Sequence, residues 1–139
     1  MTTTPDEVRD AFLAETRIGV LTTLDESGWP ISVPVWFEWD GSRARIFTTA
    51  TSRKMRRLAR DPRASLTVSN EVGQSEYWVA IDGEVEVLED GAADPAARLA
   101  GRYWDMSDEE HRKTVDMWVK DGAKLRVLEI TPTNVRTYS

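Results

Sequence analysis

Apolar and polar residues alternate with two different periods along this chain, and the switches between them mark its elements. Pro5-Asp6-Glu7-Val8 opens a helix, with a proline and two acids in its first turn and Val8, Phe12 and Leu13 on one face. Thr16 to Leu24 (TRIGVLTTL) is β-branched and reads as a strand, ended by the hairpin turn Asp25-Glu26-Ser27-Gly28. Trp29 to Trp39 is a second strand, and prolines at 30 and 34 argue for a sheet edge, a bulge or a stretch with an interrupted ladder, because proline cannot donate to it. Asp40-Gly41-Ser42 turns the chain into a third strand, Arg43 to Thr49, with Ala44, Ile46 and Thr48 alternating against Arg45 and Phe47. A short helix then carries Met55, Leu58 and Ala59 as an inward stripe and stops before Asp61-Pro62. Ala64 to Ser69 and Tyr77 to Leu88 are strands four and five around the polar loop Asn70 to Ser75, the fifth bent or bulged at Asp82-Gly83. Asp94 to Lys120 is helical, with a break near Met106-Ser107, where Ser107-Asp108-Glu109-Glu110 resembles an N-cap followed by acids in the first turn. Leu125 to Ile130 closes the sheet, and Asn134 to Tyr138 is a candidate seventh strand.

Six or seven short strands joined mostly by hairpins, with a few helices between them, predict a mainly β chain with flanking helices: a small antiparallel barrel or strongly curled sheet. No alternating βα pattern, GxGxxG or GxxxxGK[ST] occurs, which disfavours a doubly wound dinucleotide-binding sheet. The 139 residues fit a single domain, 1–139, with 40% hydrophobic and 30% charged residues. No cysteine is present, so disulfides, a thiolate nucleophile and a cysteine-ligated metal are excluded. Apolar runs fall far short of the ~20 residues a bilayer span needs. The start MTTTPDEVRD lacks the features of a signal peptide, and a cytoplasmic location is the expectation.

Charge changes the picture. The net charge is −6, yet the eleven residues Arg53 to Arg63 hold six of the eighteen basic residues and one acid. That segment is +5 and everything else together is −11. A positive island on an acidic protein points to a small anion or anionic cofactor, since the global field repels polyanions such as nucleic acid. Thr48, Thr49 and Ser52 lead into it, and Ser52 suits an N-cap. Arg53 and Lys54 then add cations to the free N–H groups of a helix start, the makings of a phosphate or carboxylate receptor. Arg56, Arg57 and Arg60 read as a solvated outer face.

The acid–base inventory is thin. His111 is the only histidine, on a charged helix segment that reads as surface, and a single histidine without cysteine makes a zinc site improbable. No GxSxG elbow is present. One anion receptor with few acids and bases describes a cofactor holder, in which the cofactor supplies the chemistry. Six tryptophans are available, and Trp36 and Trp78, on strands flanking the basic segment, could wall a planar ring.

The ordered set IFTTATSRKMRRLARDPRASLTV, a loop, then YWVAIDGEVEVL resembles the pyridoxamine 5′-phosphate oxidase-like superfamily, the flavin-binding split β-barrels. The upstream GVLTTLDESGWPISVPVWFEWDG is similar to that family's first hairpin and LRVLEITPTNVRTY to its closing strands, so the resemblance runs from about Asp6 to Tyr138. It implies an antiparallel split β-barrel, homodimeric, with the cofactor at the interface. Lys54 and Arg53 would pair with the cofactor phosphate, with Thr48, Thr49 and Ser52 around it. Val33, Pro34, Val35 and Trp36 would run along the ring system, and Trp78, from the same chain or its partner, would close the pocket. The second strand offers no arginine for an FMN phosphate, and Trp78 stands where the vitamin B6 oxidases have glutamine. The Pro-Val-Trp-Phe strand and the Arg-Asp-Pro-Arg-Ala-Ser junction look more like the short flavin/deazaflavin oxidoreductase branch. That resemblance implies an 8-hydroxy-5-deazaflavin coenzyme or FMN and hydride transfer with an unsaturated small organic substrate. A non-catalytic flavin or haem binder or sensor on the same scaffold is the alternative.

Overall fold

A computed structural model of the chain describes residues 3–120 and 124–138. The first helix, α1 (Pro5–Ala14), starts where Thr4 accepts the Glu7 N–H and buries Phe12 and Leu13. A hairpin follows, β1 (Gly19–Leu24) and β2 (Pro30–Val35). Its turn is held by the Asp25 carboxylate, which accepts from the Ser27 and Trp29 N–H groups while Gly28 takes a φ of 81°. β2 lies at one end of the sheet, where its two prolines leave no ladder bond unmade.

Next come β3 (Glu38–Trp39), β4 (Ala44–Thr49), α2 (Arg53–Arg60), β5 (Arg63–Ser69) and β6 (Trp78–Leu88). The helices α3 (Ala93–Tyr103) and α4 (Glu109–Lys120) precede the long strand β7 (Leu125–Thr137). The seven strands form one sheet in the order β2-β1-β5-β6-β7-β4-β3, with every pairing antiparallel. The two ends of that order, β2 and β3, are consecutive in the chain, so Trp36 and Phe37 link one edge of the curled sheet to the other. A mainly β split barrel with flanking helices is therefore what the hydrophobic pattern forms. Among the described residues, no helix is long and apolar enough to cross a membrane.

Leu21, Phe37, Ile46, Leu66, Ile81, Leu128 and Ile130 fill the inside of the curl, together with Phe12 and Leu13 of α1. A second cluster, Ala92, Ala96, Leu125 and Val127, lies under α3 and α4. Phe47 and Trp118 pack against it, because Phe47 points away from Ile46 and Thr48 on the alternating strand β4. The pair α3–α4 is thereby fixed on the outside of the curl beside β4.

Four details differ from the expectation. The second predicted strand is two, β2 and β3. Phe37 is fully buried between them, and its N–H is met by the Tyr103 hydroxyl, which itself donates to the Arg17 carbonyl. The tail is one strand rather than two. Asp82 pairs with Asn134 and Gly83 with Pro132, so a bulge absorbs Thr133 and the ladder continues. Ala59 is exposed, whereas Leu58 is buried and Lys54, Met55 and Arg57 are half-buried. The inward face of α2 is thus rotated toward Lys54 and Arg57. The start of α4 is capped by Asp108, which accepts from the Glu110 and His111 N–H groups, while Ser107 is tied back to Asp105.

Candidate functional site

The turn between β4 and α2 leads into the helix start that carries Arg53 and Lys54. Thr48 faces inward and is buried, Thr49 is exposed, and Ser52 accepts the Met55 N–H as the N-cap of α2. Arg53 and Lys54 follow in the first turn and diverge. Lys54 turns inward to a cleft of about 330 Å³ that it shares with Pro34, Val35, Trp36, Ile46, Phe47, Trp104 and Trp118. Burial pushes the Lys54 ammonium below its ordinary value, and the nearby Arg57 guanidinium adds to the push. This is a half-buried cation with no carboxylate at ion-pair distance among the described residues, facing a wall of aromatic rings.

Arg53 turns the other way. With Arg56, Arg57 and Arg60 it lines a second, open cleft of about 590 Å³, whose far wall is the hairpin tip Asp25, Glu26 and Ser27 together with Ile31. The arginines expected to be a merely solvated face converge here. Arg57 is half-buried and donates from Nε to the buried Thr23 hydroxyl at 2.7 Å. Arg53, Arg56 and Arg60 have no carboxylate within ion-pair distance among the described residues, although most other arginines of the sheet and helices do. Asp25 is occupied with the hairpin turn. The Trp29 N–H and the Ser27 hydroxyl hold its carboxyl below the usual range, with a smaller contribution from Arg60. Two clefts therefore flank α2, and β2 runs past both, contributing Ile31 to one and Pro34 and Val35 to the other.

Of the aromatic wall, the sequence pointed to Trp36 and not to Phe47, Trp104 or Trp118. Trp36 stacks on Tyr103 with centroids 5.1 Å apart and an interplanar angle of 3°, and meets Trp104 edge-on at 4.9 Å. Phe47 packs on Trp118 at 5.2 Å. His111, expected as a free surface residue, is half-buried with its ring on Trp104 at 4.4 Å and 11°. Trp104 and Trp118 come from opposite sides of a helix break, so no single helical period relates them. The available signal was only the excess of tryptophan beside an outward phenylalanine.

Of the expected site residues, Pro34, Val35, Trp36 and Lys54 meet in one cleft and Arg53 lines the neighbouring one, while Thr49 and Ser52, in the turn that leads into α2, line neither. Val33 packs against the core and Thr48 faces inward behind the turn. Trp78 is not brought to this cleft within the chain. It sits on the outer face of β6 beside Thr67, Ser69, Ala80 and Arg136. Chemically, the cleft suits a flat conjugated ring against the tryptophans and an anionic group at Lys54.

No curated protein matches the sequence. Among solved structures, a conserved hypothetical protein from Mycobacterium tuberculosis superposes with a TM-score of 0.77 at 23% identity, covering 100% of this chain and 86% of that one. An F420 reductase gives 0.72 at 21% identity, covering 91% and 94%. A heme binding protein from Mycobacterium smegmatis gives 0.70 at 22% identity, covering 99% of this chain and 55% of that one. At these identities the likeness is one of fold. Sequence settles the family, because a family model described as pyridoxamine 5′-phosphate oxidase matches residues 5–139, nearly the whole chain. Its span takes in the hairpin, the basic helix and the bulged closing strands together, and the chain belongs to the pyridoxamine 5′-phosphate oxidase family.

Proposed function

We propose that the protein is an oxidoreductase that binds an 8-hydroxy-5-deazaflavin coenzyme, or else FMN, and exchanges hydride with an unsaturated small organic substrate. The observation that carries this reading is the pair of clefts on either side of α2, one aromatic and one arginine-lined, joined by β2. Lys54, Arg53 and the N–H groups after Ser52 hold a phosphate. The backbone from Val33 to Trp36 runs along a ring system, and Trp36, Phe47, Trp104 and Trp118 exclude water from it. Bound there, either cofactor supplies the hydride chemistry, and the protein orients it and neutralises its charge. Val33, Pro34, Val35, Trp36, Thr48, Thr49, Ser52, Arg53 and Lys54 remain the proposed cofactor-binding residues.

The arginine cleft separates the two cofactors. FMN ends at its phosphate, while the deazaflavin coenzyme continues into a longer anionic tail that Arg56, Arg57 and Arg60 can receive. Titrating both against the apo-protein and against the double variant Arg56→Ala, Arg60→Ala tests this. The double variant is expected to weaken the deazaflavin about tenfold or more, each charged contact being worth roughly 1.5–3 kcal/mol at most, and to leave FMN unchanged. Equal losses for both cofactors, or none, would remove the tail assignment.

A non-catalytic carrier or sensor of flavin or haem is the second reading. Its support is that no carboxylate or imidazole is among the residues lining the aromatic cleft, and that one structural neighbour is a heme binding protein. Tight cofactor binding without steady-state turnover of the reduced form would favour it.

The same reading includes a homodimer. Pro34, Val20, Thr67 and Ala80 lie in one register row across β2, β1, β5 and β6, and Val20 and the neighbouring Ile18 are exposed. Trp78 stands beside that row, so a second copy laid across this face brings its own Trp78 toward the cleft edge at Pro34. The expected result is a dimer at micromolar concentration by light scattering, and a monomer would rule out the shared pocket.

A further inference from the structure

We propose that His111 is a positioning residue: its ring braces Trp104, and through Trp104 it sets the wall of the aromatic cleft. Trp104 follows the last residue of α3 with extended backbone (φ −115°, ψ 151°), so no helical hydrogen bonding beyond its own N–H fixes its side chain. The rings around it fix it instead. His111 and Trp118 are seven residues apart on α4, about 10 Å along a helix axis. The Trp104 indole stacks on both, at 4.4 Å and 11° to His111 and at 5.4 Å and 25° to Trp118. Two turns of α4 thus leave a slot one ring thick, and Trp104 fills it. Its edge meets Trp36 at 4.9 Å, so any tilt of Trp104 is transmitted to the segment that lines the cleft.

His111 is itself anchored. Its Nδ1 lies 3.1 Å from the Asp105 carbonyl oxygen, which can only accept, so Nδ1 carries the proton. Its backbone N–H is held by the Asp108 carboxylate at 3.2 Å. Both anchors belong to the short break between α3 and α4, which ties the stack to the two helices that carry Trp104 and Trp118. The brace follows from ring geometry. Its effect on binding rests on the reading of the cleft as a ring site.

The test compares wild type with His111→Ala and His111→Phe by two independent readouts. One is the exciton signal that stacked indoles give in the circular dichroism of the ligand-free protein. The other is the affinity for riboflavin, a ring without a phosphate. His111→Ala is expected to lose the exciton signal and to bind riboflavin up to about tenfold more weakly, the scale of one aromatic pair. His111→Phe restores a flat ring to the slot and is expected to recover both. An unchanged exciton signal in His111→Ala overturns the brace, as does failure of His111→Phe, once folded, to recover the signal. If wild type does not bind riboflavin, the ring-site reading fails and the dichroism comparison still decides the brace.

Discussion

Gly83→Ala is expected to destabilise the protein by about 3 kcal/mol or more, a loss at the large end for a single methyl group. Gly83 is buried in β6 at the bulge, opposite Pro132. A Cβ there would be driven into the Thr131 carbonyl oxygen, with the carbonyl carbon at 3.0 Å and Ile130 Cγ2 at 3.2 Å. The obstacle is backbone, so no rotamer change relieves it. Nor can β7 retreat, because Ile130 is paired on its other side with Ala44 of β4. Urea denaturation of the variant measures the effect, and a loss below about 1 kcal/mol would show that the bulge can open.

Lys54→Ala is expected to behave in the opposite way, weakening ligand affinity with little change in stability. Among the described residues no hydrogen bond or ion pair holds the Lys54 ammonium, and its depressed pKa has burial as its first cause and Arg57 as its second. The sign follows directly. A lysine whose folded value lies below its unfolded one favours the unfolded state wherever it is charged, so removing it costs the fold nothing electrostatically. An anion in the cleft reverses that balance. Loss of a hydrogen-bonded charge pair is worth roughly 1.5–3 kcal/mol, or about 10- to 150-fold in affinity. Fluorescence titration with FMN and a thermal melt separate the cases. Unchanged affinity with a lowered melting temperature would make Lys54 a structural residue.

These two residues also mark what the sequence can and cannot disclose. Features written in adjacent residues were legible: the hairpin turn at Asp25 to Gly28, the edge strand with Pro30 and Pro34, the cap at Ser52 and the bend at Asp82-Gly83. Each is a local conformational demand met by a few neighbouring side chains. Ser52, Arg53 and Lys54, the proposed phosphate receptor, are contiguous, so the sequence nominates them together. What stayed hidden depends on how elements meet. The rotation of α2 that turns Arg57 toward Thr23 is decided by packing on β1, and a helical wheel drawn from Met55, Leu58 and Ala59 misplaces it. The ring stack of His111, Trp104 and Trp118 joins residues across a helix break. Tyr103 supplies the N–H of Phe37 with a partner 66 residues away in sequence. Trp78 and Trp36 share a composition signal but line different clefts.

The strand β7 has a consequence for how the chain is made. It is the only described strand that pairs with both β4 and β6, so it joins β3–β4 to the β2–β1–β5–β6 group. In synthesis it is also the last of these strands to leave the ribosome. Until it emerges, β4 and β6 each expose an open edge bearing Ile46, Phe47, Val85 or Val87, with nothing to cover it. Nascent chains stalled before Leu125 should therefore be clients of holdase chaperones and prone to pairing with one another, while a strand-β7 peptide supplied in trans should compete for those edges.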